Sequence, residues 1–225
     1  MAFVVLVHGF WADGSSWNGV VPELVAAGHT PLAVQLPLTG FADDVAAVRR
    51  AAGRGEGPLV LAGHSYGGAV ISEAATALPA TALVFVAAYA LDQGDDVMAL
   101  SATYPAPGGA AIRPTDDGFL WLDVDAYPDV FCQDVDPAVA AVMARTQGPA
   151  SVACLSGLTG PAAWHTVPSW YQVSAKDRTI SPDAQRWMAA RAGASVVEVD
   201  AGHAALVSQP RATAELILRA AAGER

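Results

Sequence analysis

Short apolar segments alternate with segments of helical spacing along the N-terminal part of the chain. The short segments lack polar alternation and are rich in β-branched residues, which is typical of strands buried on both faces of a parallel sheet. They lie at 3–7, 30–35, 58–62 and 81–88. Apolar residues recur at helical spacing in the segments 16–27, 43–52 and 66–78. This alternation predicts an α/β fold with a doubly wound, mostly parallel sheet and helices on both faces.

The alternation stops over about 91–165, where proline, glycine and aspartate are frequent and no strongly apolar strand is visible. One helix is predicted in this part, over 137–146. The pattern then resumes with strands at 169–174 and 195–199 and helices at 182–192 and 210–222. We therefore expect one domain over residues 1–225, with a cap insertion at about 91–165 that lies over the sheet.

The chain is acidic, because its 225 residues include 12 Lys and Arg against 22 Asp and Glu, for a formal net charge of −10. Phosphate backbones and anionic membrane surfaces are bound by clusters of cations, so we expect no nucleic acid and no membrane as partner. Hydrophobic residues make up 53% of the chain, but the longest apolar runs are well short of the ~20 residues that a spanning helix needs.

The N-terminus shows no basic segment followed by a long apolar stretch and a cleavage site, so a cytoplasmic location is expected. The two cysteines, Cys132 and Cys154, occur in no CxxC pair and beside no histidine at metal-ligand spacing. We expect both to be buried free thiols.

The strongest local motif is Gly63-His-Ser-Tyr-Gly67, between a predicted strand and a predicted helix. A sharp turn at this place lifts a serine hydroxyl above the sheet, but it strains the backbone and requires small residues two positions before and after the serine. Gly63 and Gly67 meet that requirement, so Ser65 is the candidate nucleophile. An ordinary glycine-rich turn that happens to contain serine is the alternative.

A serine hydroxyl needs a histidine base and an acid that orients the histidine. His203 follows the last predicted strand, where a short loop would bring its imidazole over the C-terminal edge of the sheet. Asp177 follows the preceding strand and is the candidate acid. Asp92 is the serious alternative, whereas Asp183 lies at a helix N-terminus and Asp200 precedes the histidine too closely to turn back onto it.

Acyl transfer also needs N–H donors that stabilise the developing oxyanion. Tyr66, at the start of the helix after the candidate nucleophile, is expected to supply one donor. The loop after the first strand, His8-Gly9-Phe10-Trp11, is expected to supply the other through the N–H of Phe10, with Gly9 allowing the backbone to approach closely. The alternative for this loop is a tight turn with a hydrogen-bonding histidine.

The order of His8-Gly9, the serine motif, Asp177 and His203 resembles the α/β-hydrolase superfamily over nearly the whole chain. The N-terminal third is similar to the branch that holds plant methyl esterases, hydroxynitrile lyases and small bacterial esterases. The resemblance implies a serine, aspartate and histidine triad, a small cap over the pocket, and neither a metal nor an organic cofactor. The expected partner is a small-molecule substrate, with the chain a monomer or a homodimer.

Departures from this branch favour ester hydrolysis. Hydroxynitrile lyases carry a lysine directly after the catalytic histidine, where this chain has Ala204, and tend to have a threonine at the position of Gly9. Ser65 excludes the members with a carboxylate nucleophile. The expected function is cleavage of a small carboxylic ester through an acyl-enzyme. A lyase, a cofactor-free haloperoxidase and a ligand-binding receptor on the same scaffold are the alternatives.

Aromatic residues are frequent in the predicted cap and core loops, which indicates an uncharged, largely apolar substrate. Trp11, Trp121 and Trp164 are the expected substrate contacts, and packing of the cap onto the sheet is the alternative for each. The aspartates over 116–136 match no EF-hand spacing, so a solvated acidic face is expected there instead of a calcium site.

Overall fold

Two sheets form the strand framework of the computed structural model, which describes residues 1–158 and 160–225. The strands are β1 Phe3–Val7, β2 Thr30–Val34, β3 Leu59–His64, β4 Ala80–Val86, β5 Ile112–Pro114, β6 Phe119–Leu122, β7 Ala150–Ser151, β8 Ser169–Ser174 and β9 Ser195–Val199. The central sheet has the order β2-β1-β3-β4-β8-β9, with each neighbouring pair parallel. The chain proceeds in opposite directions from β1 and from β3, so a crevice opens at the C-terminal ends of these two strands.

Helices cover both faces of the central sheet. The helices of the described residues are α1 Val20–Ala26, α2 Phe41–Ala52, α3 Tyr66–Ala74, α4 Val97–Thr103, α5 Tyr127–Phe131, α6 Pro137–Thr146, α7 Pro182–Arg191, α8 Ala205–Ser208 and α9 Pro210–Ala222, of which α4, α5 and α6 belong to the cap. On one face, Leu24 of α1 and Ile217 of α9 share an apolar cluster with Val4 of β1. On the other face, Val70 of α3 packs in a second cluster with Leu61 of β3. Burial on both faces explains why the central strands are continuously apolar.

The doubly wound α/β architecture predicted from the sequence is confirmed, and all six predicted strands belong to the central sheet. Two predicted helices are shorter than expected. The segment 16–27 divides into a 3-10 turn at Gly14–Trp17 and helix α1, and the segment 66–78 ends as a 3-10 turn at Ala75–Ala77 after α3.

The cap contains short strands that the sequence pattern did not reveal. Strands β5, β6 and β7 form a small antiparallel sheet in the order β5-β6-β7. These strands have three, four and two residues, which is too short for a periodic pattern to be visible in the sequence. Helix α6 lies where the sequence placed it, at Pro137–Thr146.

Cys132 and Cys154 are both buried free thiols, as predicted. Burial raises the pKa of each thiol to about 12, so both stay protonated. Within the described ranges, no helix combines the length and the apolar character needed to cross a bilayer.

Candidate active site

Ser65 occupies the sharp turn between β3 and α3. Its backbone has φ of 54° and ψ of −125°, a strained conformation for a residue with a side chain. A Cβ atom on Gly63 would lie 2.5 Å from the carbonyl oxygen of Gly67, and one on Gly67 would lie 2.6 Å from that of Val7. The glycines on either side therefore allow the tight turn that holds the serine at the crevice between β1 and β3.

Asp177 and His203 meet at the C-terminal ends of β8 and β9. Nδ1 of His203 lies 2.7 Å from Oδ2 of Asp177, and neither side chain is exposed. The carboxylate also accepts hydrogen bonds from the N–H groups of Thr179 and Ile180 at 2.7 and 2.9 Å, and from Nε2 of Gln185 at 2.7 Å. These donors hold Asp177 in one orientation toward the imidazole.

The contact with Asp177 determines the protonation pattern of the imidazole. An ionised carboxylate only accepts hydrogen bonds, so Nδ1 of His203 carries the proton and Nε2 carries the free lone pair. Nε2 is buried and has no hydrogen-bond partner among the residues that the structure describes. No described residue therefore binds the nitrogen that would serve as the general base.

The other aspartates considered as the acid have different partners. Asp92 accepts from Nε2 of His165 at 2.7 Å and from the N–H of Ala162 at 3.1 Å. Asp183 pairs with Arg186, and Asp200 pairs with Lys176, in both cases at 2.8 Å on the surface. Of the four candidates, Asp177 is the one that contacts His203.

His64, directly before the candidate nucleophile, supports the histidine loop in a way that sequence reasoning missed. Its Nε2 donates to the carbonyl oxygen of His203 at 2.9 Å, and the two rings lie 4.7 Å apart. Burial, followed by repulsion from His203, lowers the pKa of His64 well below 6.5, so the ring is neutral. This bond ties the serine turn to the loop that carries the base.

The loop after β1 lies directly against the nucleophile. Nε2 of His8 accepts from the N–H of Leu36 at 3.0 Å, so Nδ1 donates to the carbonyl oxygen of Gly9 at 2.8 Å. A Cβ atom on Gly9 would lie 2.5 Å from Cβ of Ser65 and 3.1 Å from its Oγ. The close approach that the sequence suggested for Gly9 is present.

Phe10 and Tyr66, the expected oxyanion donors, flank Ser65. Tyr66 is the first residue of α3, and the first N–H groups of a helix have no acceptor within it. The rings of Phe10 and Tyr66 pack with their centroids 4.3 Å apart. The two segments expected to supply donors are therefore in contact beside the nucleophile.

A cavity of about 290 Å³ extends from Ser65 into the cap. Its wall is largely apolar, and no charged side chain lines it within the described part of the chain. Residues that sequence reasoning did not single out contribute to this wall, among them Phe41, Leu100, Ile112, Leu120, Leu155 and Ile180. The site can accommodate a small uncharged molecule next to the serine.

Comparison with known proteins identifies the family of this chain. A family model described as "Alpha/beta hydrolase family" matches residues 4–216. The chain belongs to the alpha/beta hydrolase family. It is 26% identical to the alpha/beta hydrolase nvfD of Aspergillus novofumigatus, over 98% of this chain and 96% of that protein. It is 27% identical to the esterase PIR7B of Oryza sativa subsp. japonica, over 96% and 94% of the two chains.

The structure is also similar to that of a pyrethroid hydrolase from Sphingobium faniae JZ-2. The TM-score is 0.83 at 24% sequence identity, and the match covers 99% of this chain and 98% of that one. This likeness shows that the hydrolase fold extends over essentially the whole chain.

The three tryptophans expected to contact substrate have different places in this hydrolase. Trp11 lines the cavity, but Trp121 and Trp164 do not. Side chains alternate along β6, and since Leu120 lines the cavity, Trp121 points to the opposite face of the strand. Trp164 is buried, donates from Nε1 to the carbonyl oxygen of Leu91 at 2.9 Å and packs against the rest of the fold. Of the three tryptophans, Trp11 is therefore the one that borders the cavity beside Ser65.

Proposed function

We propose that this alpha/beta hydrolase is a serine esterase that cleaves a small, uncharged, largely apolar carboxylic ester through an acyl-enzyme on Ser65. The observation that carries the proposal is the meeting of three loops at one edge of the sheet. Ser65 sits in a strained turn, the backbone at Gly9 lies against it, and the loop of His203 is tied to the same turn. The esterase PIR7B is a relative over nearly the whole chain, which supports the same reaction class.

The chemistry follows from the protonation pattern. Oγ of Ser65 attacks the acyl carbon while Nε2 of His203 takes its proton, which forms a tetrahedral intermediate with a negative oxygen. The N–H groups of Phe10 and Tyr66 stabilise that oxygen. The imidazolium then returns the proton to the departing alcohol, and water attacks the acyl-enzyme with the same base to release the acid.

Asp177 contributes to this chemistry by orienting the imidazole of His203 and through its negative charge. It keeps the imidazole in the tautomer whose Nε2 is free, and its carboxylate stabilises the imidazolium that forms during each step. The hydrogen bonds from Thr179, Ile180 and Gln185 prevent the carboxylate from rotating away. The acid therefore stays in place without contact with the substrate.

The cavity supports a substrate of limited size and low polarity. A volume of about 290 Å³ is near the lower end of the usual range for ligand pockets, about 300–1,000 Å³. A charged substrate would lose its hydration without gaining a partner among the described lining residues. The position after His203 is the buried Ala204, so the cation that assists cyanide release in hydroxynitrile lyases has no counterpart there.

The test compares wild type and Ser65→Ala on p-nitrophenyl acetate, butyrate and octanoate, together with labelling by a fluorophosphonate. We expect turnover and labelling in wild type and the loss of both in Ser65→Ala. Ser15→Ala, which removes an exposed hydroxyl far along the chain from the turn, is the matched control and should behave as wild type. Equal turnover by Ser65→Ala would contradict the mechanism, and a wild type without turnover or labelling would favour a binding protein.

A further inference from the structure

Asp44 of α2 is a buried carboxylate outside the triad. Its Oδ1 accepts from the N–H of Leu38 at 2.8 Å, and its Oδ2 accepts from the hydroxyl of Tyr66 at 2.7 Å and from the thiol of Cys154 at 3.5 Å. The side chain is fully buried, and within the described residues no cation forms an ion pair with it. Burial without a cation is costly for a carboxylate, and burial raises the pKa of Asp44.

Tyr66 links this carboxylate to the nucleophile. The residue follows Ser65 directly, so its backbone N–H is one expected oxyanion donor, while its hydroxyl at the far end of the ring is held by Asp44. Burial raises the pKa of Tyr66, so the hydroxyl remains protonated and donates. A change in the χ1 angle of Tyr66 would carry the hydroxyl away from Asp44 and break this hydrogen bond.

The anchored ring also supports the second expected donor. Phe10 packs on Tyr66 at a centroid distance of 4.3 Å and an interplanar angle of 31°, and Phe41 meets Tyr66 edge-on at 6.2 Å. Aromatic pairs of this kind restrict both rings. Movement of the Tyr66 ring would therefore displace Phe10 and the loop that carries its N–H.

We propose that Asp44 is a positioning residue for the oxyanion hole. Asp44 holds Tyr66, and Tyr66 in turn holds Phe10, so that the backbone N–H groups of both residues point at the acyl oxygen. The inference rests on the proposed ester hydrolysis. Asp44 also binds the cap, because Cys154 belongs to the turn Val152–Ser156 and lines the cavity. One carboxylate thus joins α2, the start of α3 and the cap.

The kinetic test uses Tyr66→Phe, Asp44→Asn, Asp44→Leu and the double variant of Tyr66→Phe with Asp44→Leu on p-nitrophenyl butyrate. Displacing a donor should cost less than the ~10²–10³-fold loss that follows its removal, so we expect Tyr66→Phe and Asp44→Leu each to lower kcat about tenfold. KM should change by less than about twofold, because the hydrogen bond between Tyr66 and Asp44 positions donors that act mainly in the transition state. The double variant should be no slower than the slower single variant, since both substitutions remove the same hydrogen bond between Tyr66 and residue 44.

Asp44→Asn and one further variant, Asp43→Asn, separate positioning from general stability. Asp44→Asn retains an acceptor for the Leu38 N–H and should fall between wild type and Asp44→Leu. Asp43→Asn is the matched control, because Asp43 lies on the same turn of α2, is exposed and accepts from Oγ1 of Thr39 at 2.8 Å. Its kcat should equal that of wild type.

An unchanged kcat per folded protein in Tyr66→Phe and Asp44→Leu, with only a lower unfolding free energy, would show a structural role and overturn the proposal. A raised KM at unchanged kcat would overturn it in favour of substrate binding. If Asp44→Leu does not fold, Tyr66→Phe and Asp44→Asn carry the same comparison.

A crystal structure provides a readout that does not depend on ester hydrolysis. In Asp44→Leu, or in Asp44→Asn if the first does not fold, the Phe10 and Tyr66 rings should move away from their 4.3 Å separation. Unchanged rings would overturn the positioning role even if wild type cleaves esters. Displaced rings in a protein without esterase activity would mean that the proposed function, and not the positioning role, is wrong.

Discussion

The carboxylate of Asp177 holds the imidazole of His203 through one short contact, 2.7 Å from Oδ2 to Nδ1, in a place where neither side chain is exposed. The two residues meet because β8 and β9 are parallel neighbours, so the loops after them emerge at the same edge of the sheet. Since the acid must accept a hydrogen bond from the protonated Nδ1 of His203, its charge and acceptor character matter as well as its shape.

Replacing Asp177 by Asn should reduce kcat by about 10³–10⁴-fold, because an amide N–H facing the ring would favour the wrong tautomer. Steady-state hydrolysis of p-nitrophenyl butyrate measures the effect. Asp200→Asn is the control, since Asp200 is exposed and paired with Lys176. Nearly full activity in Asp177→Asn would remove Asp177 from the mechanism.

Gln185 of α7 should prove necessary for the position of the acid. Its Nε2 donates to Asp177 at 2.7 Å and to the carbonyl oxygen of Ile180 at 2.9 Å, and its Oε1 accepts from the N–H of Ser174 at 2.9 Å. Gln185→Leu leaves buried groups without partners, so we expect unfolding to cost about 1–3 kcal/mol less and kcat to fall. Urea unfolding and ester kinetics measure the two effects, and an unchanged value of either would contradict this account.

The backbone at Gly9 should tolerate no side chain. In Gly9→Ala the new Cβ would lie 2.5 Å from Cβ of Ser65, so the loop or the nucleophile must shift. Because small displacements of reacting groups are costly, we expect kcat to fall by about 10²-fold or more. Gly148→Ala is the matched control, since its Cβ would meet no atom within 4 Å. Similar kinetics in the two variants would contradict the close approach.

The sequence predicted the elements whose signals are local. Runs of apolar residues predicted the six central strands. The glycines around Ser65 indicated the strained turn, because such a turn needs small residues at neighbouring positions of the sequence. Asp177 and His203 were found as candidates because the topology places their loops at one edge. For the acid, the sequence left Asp92 open, and only the contact with His203 distinguishes the two.

The remaining features depend on contacts between side chains of different elements. The support that Gln185 gives to Asp177, and the bond from Tyr66 to Asp44, join separate elements and have no local pattern. Trp121 was expected to contact substrate because aromatic residues are frequent in the cap. The short strand β6 that carries it was not recognised, so its alternation with Leu120 could not be used.

The neutral state of His64 leads to a prediction about stability and pH. Burial lowers the pKa of His64 well below 6.5, whereas the unfolded chain takes up a proton near that ordinary value. The unfolded state therefore binds more protons as the pH falls below about 6.5, and this histidine reduces the unfolding free energy by up to about 1.4 kcal/mol per pH unit there. Urea unfolding of wild type and His64→Gln at about pH 7.5 and about pH 5.5 measures the effect. The loss between the two conditions should be smaller in His64→Gln, and an equal or larger loss would mean that His64 is protonated in the folded protein.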